Sequence, residues 1–397
     1  MLNIPLMANN ILKEDLDELI KFLNASNVGG TSREIPRLTN GPKIIEFENA
    51  WSKWLGVKHS LFVHSGAAAN YITMAVLREL YGPGEVIVPP IAWSSDISSV
   101  FAAGLTPVFA DVDMHTLAMD ESEILSHITD KTRAVFLTHV LGFNGLTQSL
   151  LDELNKRGIP LIEDVCESHG ATMNGRKCGT FGLASNFSFY YAHHMSTIEG
   201  GVICTNDDHF YQMCRLFRSH GMVRELTDED MKREYAEKYP DLRPEFLFAV
   251  PGYNMRGTEI NGVLGLSQIK RLDENNKHRV KNFELFIEHL DPEKYFTDFS
   301  MEGQVNYAFV ILLRQPDREK FERLTELLRA EKVEFRRGTA GGGNLARQPF
   351  VRNRMVGFDP STMRNADFIH FYGLYTGNYP SLGKEKILGL CDVLNRL

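Results

Sequence analysis

The chain has 397 residues, with 43 basic and 51 acidic side chains, a formal charge of −8 and five cysteines. That length suffices for one large core plus a smaller lobe without disulfide or metal staples, and apolar and charged fractions of 43% and 24% are those of a soluble globular protein. The acidic balance argues against a partner held through nucleic-acid phosphates, and no apolar run reaches the roughly 18–20 residues of a membrane span.

The opening MLNIPLMANN lacks the basic-then-apolar plan of a signal peptide. Cys166, Cys178, Cys204, Cys214 and Cys391 form a sparse, odd set without a C-x-x-C pair, which predicts a reducing, cytoplasmic setting and no zinc ribbon. Apolar residues at Leu12, Leu16, Leu19, Ile20 and Leu23 make a helical stripe over 12–24, and Ile44, Phe47, Trp51 and Trp54 make another over 43–55. Short apolar runs then predict strands at about 61–64, 86–89, 107–111, 133–138 and 160–163. Helices are expected between them near 66–81, 94–103, 121–128 and 147–157. That alternation implies βαβ units, a mostly parallel sheet and a ligand site at the strands' carboxyl ends.

A second texture starts near residue 259, giving expected domains 1–258 and 259–397. A long helix or helix pair runs to about 290. A strand at 305–313, a helix at 317–331, a strand at 333–337 and a closing helix at 382–396 read as a smaller α+β lobe. The stretch 338–364 is rich in Gly, Arg and Asn and reads as a long loop.

Three stretches carry chemistry. His64-Ser65-Gly66-Ala67-Ala68-Ala69-Asn70 follows a strand and opens a helix, where small residues let backbone N–H groups approach a phosphate. A closely packed βα turn would look the same. Leu161-Ile162-Glu163-Asp164-Val165-Cys166-Glu167 ends a strand in acids, so Asp164 could pair with a cationic ring nitrogen or simply cap a helix. Ser188-Phe189-Tyr190-Tyr191-Ala192-His193-His194 runs an aromatic strand into a polar turn. Adjacent histidines in a strand point to opposite faces, so a shared metal is not expected there.

The order of these stretches resembles the DegT/DnrJ/EryC1/StrS family of pyridoxal-phosphate-dependent nucleotide-sugar enzymes. Ser65 to Ala69 is similar to its S-G-x-x-A turn. Glu163-Asp164 through Gly170-Ala171 matches its E-D-x-A-Q-x-x-G-A. Ser188-Phe189, His193 and Glu199-Gly200-Gly201 match its S-F-x-x-x-K-x-x-x-x-x-E-G-G. Gly252-Tyr253-Asn254-Met255-Arg256 through Gly265, and Gly41-Pro42 to Phe47-Glu48, match its two remaining motifs. The resemblance covers essentially the whole chain. It implies an aspartate-aminotransferase-like (type I) α/β fold and a homodimer whose active sites span the interface.

The departures are informative. The lysine that tethers the cofactor is replaced by His193, and no lysine occurs between Lys177 and Lys232. The Gln after the Glu-Asp pair is Glu167, and Trp93 sits where a side chain stacks on the cofactor. This combination resembles the family's 3-dehydratase branch, which removes the C3 hydroxyl of a nucleotide-linked 4-keto-6-deoxy sugar. What the resemblance implies is pyridoxal or pyridoxamine phosphate bound non-covalently, L-glutamate as amine donor, and a GDP-linked sugar as substrate. His193 is then the catalytic acid/base. Gly66, Ala67 and Ser188 hold the phosphate, Asn254 reaches it from the partner subunit, and Asp164, Glu167 and Trp93 contact the ring. His220, Arg224 and Arg336 contact substrate. An iron–sulfur branch also carries His for Lys, but its cysteines include a C-x-C that this chain lacks, so no cluster is expected. A 4-aminotransferase and a protein that holds cofactor without catalysis are the remaining alternatives.

Overall fold

The computed structural model describes residues 1–25 and 38–397. Among the described residues the twelve strands are β1 (His59–Val63), β2 (Glu85–Val88), β3 (Thr106–Phe109), β4 (Thr132–Thr138), β5 (Leu161–Asp164), β6 (Thr172–Met173), β7 (Arg176–Lys177), β8 (Ala184–Ser188), β9 (Gly201–Thr205), β10 (Ala308–Leu312), β11 (Phe335–Arg337) and β12 (Gly373–Gly377). Seven of them form the main sheet in the order β1-β9-β8-β5-β4-β2-β3. The pairs β8–β5, β5–β4, β4–β2 and β2–β3 are parallel, and only β9 runs against its neighbours. Runs such as Val86–Val88 and Ala134–Leu137 are fully buried, as expected of strands covered by helices on both faces.

The first helices follow the sequence pattern closely. They are α1 (Lys13–Ala25), α2 (Pro42–Leu55), α3 (Gly66–Tyr81) and α4 (Ser94–Ala102). α2 starts with Pro42 in its first turn and ends at Gly56 in the left-handed conformation. Its buried face is Ile44, Phe47, Trp51 and Leu55. The stripe over α1 behaves differently, because Leu12 just before it and Leu16 and Ile20 on it are exposed.

Residues 259–289 form two helices, Glu259–Gln268 and Leu272–His289. The Glu259 carboxylate accepts N–H groups of Gly41, Lys43 and Ile44 at 2.9–3.2 Å. It therefore serves the otherwise unpartnered donors at the start of α2. Beyond these helices, β10, β12 and β11 make a three-stranded antiparallel sheet. Ile4 bridges to Val333 beside that sheet, and the Leu2 N–H donates to Glu331 O at 3.1 Å. The expected loop at 338–364 holds short helical turns at Ala340–Gly342, Leu345–Arg347, Pro349–Arg352 and Pro360–Thr362. The helix Arg364–Tyr372 and the central strand β12 that follow it were not anticipated. Among the described residues no helix is long and apolar enough to cross a membrane.

Candidate active site

The carboxyl ends of β1, β2, β4, β5 and β8 converge on a cavity of about 310 Å³. It is lined by Ser65, Gly66 and Ala67 after β1, Trp93, Ser95 and Asp96 after β2, and Thr138 at the end of β4. Asp164, Cys166 and Glu167 come from β5 and its turn, and Ser188, Tyr190 and His193 from β8 and its turn. The second sheet contributes Arg336 and Tyr375, with Tyr307 just before β10.

The floor of the cavity is the start of α3. Ser65 caps it by accepting the Ala68 N–H at 3.0 Å, so the Gly66 and Ala67 N–H groups sit in a first turn that no helical carbonyl can satisfy. Gly66 is required for close approach, since a Cβ there would lie 2.6 Å from Ser188 Cβ and 3.0 Å from Cys166 Sγ. Gly201 is equally constrained, because its Cβ would lie 2.4 Å from the Ser65 carbonyl oxygen. The two small-residue motifs thus build one cradle: unpaired N–H groups at a positive helix end with the Ser188 hydroxyl beside them.

The alternation of β5 separates its two acids. Glu163 points away from the cavity and accepts N–H groups of Gly179, Phe181 and Gly182 at 2.7–2.8 Å, with His139 Nε2 at 3.2 Å. Asp164 faces the cavity, its oxygens accepting the Cys166 N–H at 2.9 Å and the Asn70 amide at 3.0 Å. Glu167 accepts the Leu141 N–H at 2.9 Å. Burial above all raises its carboxyl; that backbone N–H opposes the rise, the Asp164 charge adds to it, and the result is about 7.

His193 and His194 lie in an irregular turn after β8, so the strand alternation expected for them does not apply. Both rings approach His169, with centroids at 6.1 and 5.1 Å. His194 Nε2 is 2.8 Å from the Val305 carbonyl, whereas His193 lines the cavity and its buried Nδ1 has no partner. Burial first, then the charge of Arg279, pushes His193 down to about 4. It is therefore a neutral base near pH 7. Trp93 stands at the cavity mouth, 53% exposed.

Eight of the eleven expected site residues meet here: Gly66, Ala67, Trp93, Asp164, Glu167, Ser188, His193 and Arg336. Asn254, His220 and Arg224 lie elsewhere on an exposed strip. A bridge joins Ser219 to Asn254, the His220 N–H donates to the Tyr253 carbonyl, and Arg224 lies over the Phe246 ring at 5.8 Å. Sequence reasoning missed Asn70, Asp96, Thr138, Tyr307 and Tyr375. The first two carried a signal, as an amide and a carboxyl on the buried faces of α3 and α4.

A doubly wound sheet with a helix-end anion cradle and a buried aspartate at the adjoining strand end defines a type I, aspartate-aminotransferase-like protein. The chain belongs to the DegT/DnrJ/EryC1/StrS aminotransferase family, whose sequence pattern matches residues 19–394. It is 28% identical, over its whole length and 99% of the relative's, to GDP-4-keto-6-deoxy-D-mannose 3-dehydratase of Yersinia pseudotuberculosis. It is 32% identical to the enzyme of that name from Escherichia coli O55:H7, over 90% of this chain and 92% of the other. A solved structure of the E. coli dehydratase with bound hydrated pyridoxal phosphate superposes with a TM-score of 0.87, at 28% identity over 99% and 100% of the two chains. A GDP-4-keto-6-deoxymannose 3-dehydratase with a trapped pyridoxal phosphate–glutamate geminal diamine gives 0.87 at 27% identity and the same coverage.

Proposed function

We propose that this protein is a 3-dehydratase of a nucleotide-linked 4-keto-6-deoxy sugar, GDP-4-keto-6-deoxy-D-mannose by its relatives. In this reading it uses pyridoxal/pyridoxamine phosphate and L-glutamate, and serves a colitose-type deoxysugar route. The observation that carries this reading is that His193, whose buried Nδ1 has no partner, lines the cavity at the family's tether position, with no lysine among the described lining residues.

The residues present fit the cofactor. The cradle at Gly66, Ala67 and Ser188 suits a phosphate, buried Asp164 suits a protonated ring nitrogen, and Trp93 offers a planar face at the mouth. When bound, the group supplies an amine that condenses with a ketone and a ring that takes up electrons. Asp164 keeps the ring nitrogen protonated by giving it a carboxylate partner. His193 removes a proton at the cofactor's C4′ carbon and, once protonated, delivers it to the departing C3 hydroxyl. Histidine cannot form the covalent tether that returns an amine to product in an aminotransferase. The sugar therefore leaves as a 3-deoxy-4-keto product with ammonia, and glutamate leaves as 2-oxoglutarate. Glu167 holds a proton toward the ring's C3′ oxygen, and Arg336, beside Tyr375, contacts substrate.

A homodimer completes the reading. His220, Arg224 and Asn254 lie outside this chain's cavity, and exposed Tyr190, Tyr191 and Ile198 flank the His193 turn, as Leu12, Leu16 and Ile20 line α1. Such a surface suits a second copy that brings Asn254 to the opposite phosphate.

The test is product analysis with pyridoxal phosphate, excess glutamate and GDP-4-keto-6-deoxy-D-mannose. Ammonia and 2-oxoglutarate in equal amounts, with a 3-deoxy sugar, are expected. Accumulation of a 4-amino sugar would sink the proposal.

A further inference from the structure

Asp96, in the first turn of α4, plays no part in the reading above, yet it is the most deeply buried acid of the cavity wall, with no exposure to solvent. A single amide ties it to Asp164. Asn70 Nδ2 donates to Asp96 Oδ1 at 2.9 Å and to Asp164 Oδ2 at 3.0 Å, with Ser95 Oγ at 3.1 Å. The orientation of that amide is fixed from behind, because Asn70 Oδ1 accepts from Asn186 Nδ2 at 2.9 Å and Asn186 Oδ1 accepts from Thr73. The Thr138 hydroxyl donates to Asp96 Oδ2 at 2.6 Å. The Asp96 and Asp164 carboxyls thus accept from one and the same amide nitrogen. Two carboxylates held on one amide nitrogen in a dry site cannot both ionise cheaply, so the pair retains a proton.

We propose that Asp96 is a positioning residue of the ring-nitrogen site: it and Asp164 share one proton in the free protein, and that proton passes to the cofactor's ring nitrogen on binding. The transfer is balanced within the pair. The carboxylic O–H breaks, the ring N–H forms, and both aspartates end as carboxylates facing a pyridinium. Burial foremost, and then the Asp164 charge, push Asp96 well above the usual carboxylate range, which places the proton on Asp96. The other titratable groups facing it are Glu167 and the half-buried thiol of Cys166; Thr138, Ser95 and Asn70 are neutral donors. The idea rests on the cofactor reading above and adds a source for the ring proton.

The test is infrared difference spectroscopy of the full chain, free and loaded with pyridoxal phosphate, in protein carrying carbon-13 in aspartate side-chain carboxyls. The label separates aspartate from Glu167 without any substitution. A protonated-aspartate C=O band in the free protein that is lost on loading is expected. A second arm follows ring-nitrogen protonation of bound nitrogen-15 cofactor by NMR, where Asp96→Asn should lower the titration midpoint by about 1–3 pH units. No such band in the free protein, a band that survives loading, or superimposable titrations would overturn the proposal. Failure to bind pyridoxal phosphate at all, read by equilibrium dialysis, would instead remove the cofactor reading itself. If Asp96→Asn does not fold, the infrared arm decides alone.

Discussion

The two walls of the cavity carry opposite chemistry and respond to burial in the same way. On the sheet side, the carboxyls of Asp96 and Glu167 are pushed up. On the turn side, the cavity-lining imidazole of His193 and those of its neighbours His169 and His194, outside the lining, are pushed down, by burial first and then by the charges of Arg279 and of one another. Both walls are thereby held closer to neutral in the free protein. The acidic wall is knitted by side-chain hydrogen bonds through Asn70 and Thr138. The basic wall is held by packing and backbone carbonyls, with Arg279 donating to the carbonyls of Tyr307 and Asn378 and no carboxylate paired with it among the described residues. A knitted wall holds a ring in place, while a wall with a free imidazole nitrogen can move a proton.

The largest change comes from crossing the walls' roles. His193→Lys should acquire a covalent link to pyridoxal phosphate, seen by borohydride reduction and mass spectrometry, and should lose dehydration. No adduct would mean that residue 193 does not reach the cofactor. Next, Asp164→Ala removes the carboxylate from the acidic wall. Breaking a buried charge pair costs about 3–5 kcal/mol, so pyridoxal phosphate affinity should fall by roughly 10²- to 4 × 10³-fold by equilibrium dialysis.

Glu167 gives a smaller effect in the free protein. Its folded pKa of about 7 lies above the unfolded value of 4.5, so the folded state binds more protons between those limits. Stability from this group is present below the lower limit and lost as pH rises through about 7. Urea unfolding at about pH 5 and pH 8 should show a loss of roughly 2–3 kcal/mol that Glu167→Gln removes. An identical loss in the variant would place the effect elsewhere. The smallest effect concerns Arg279. The His193 ring should titrate near 4 by NMR in the free protein, and Arg279→Gln should raise that midpoint by about one unit. A wild-type midpoint near 6.5 would mean that the basic wall is wet.

Much of this was legible in the sequence, because strand ends and motifs coincide. The expected strand at 160–163 is β5, the S-G-x-x-A turn is the start of α3, and His193 stood out against a lysine-free stretch. What stayed hidden depends on the third dimension. Strand β12 is the five-residue Gly373–Gly377, after a stretch rich in Gly and Arg, and its burial depends on pairing with β10 and β11. Asp96 and Asn70 lie 26 positions apart on different helices, and only the sheet brings them to Asp164. Tyr375 lies on the second sheet and Tyr307 just before its strand β10, with rings 6.2 Å apart. The stripe on α1 has a helical period, but periodicity does not say which face turns inward, and Leu12, Leu16 and Ile20 face out.

The central claim is that a neutral His193 moves the proton. Pyridoxamine phosphate with deuterium at C4′, loaded into wild type and His193→Asn and mixed with the 4-keto sugar nucleotide, tests it directly. Label loss accompanied by release of the C3 hydroxyl in wild type, with both absent from the variant, is the predicted result. Equal rates of label loss in the two proteins would contradict it.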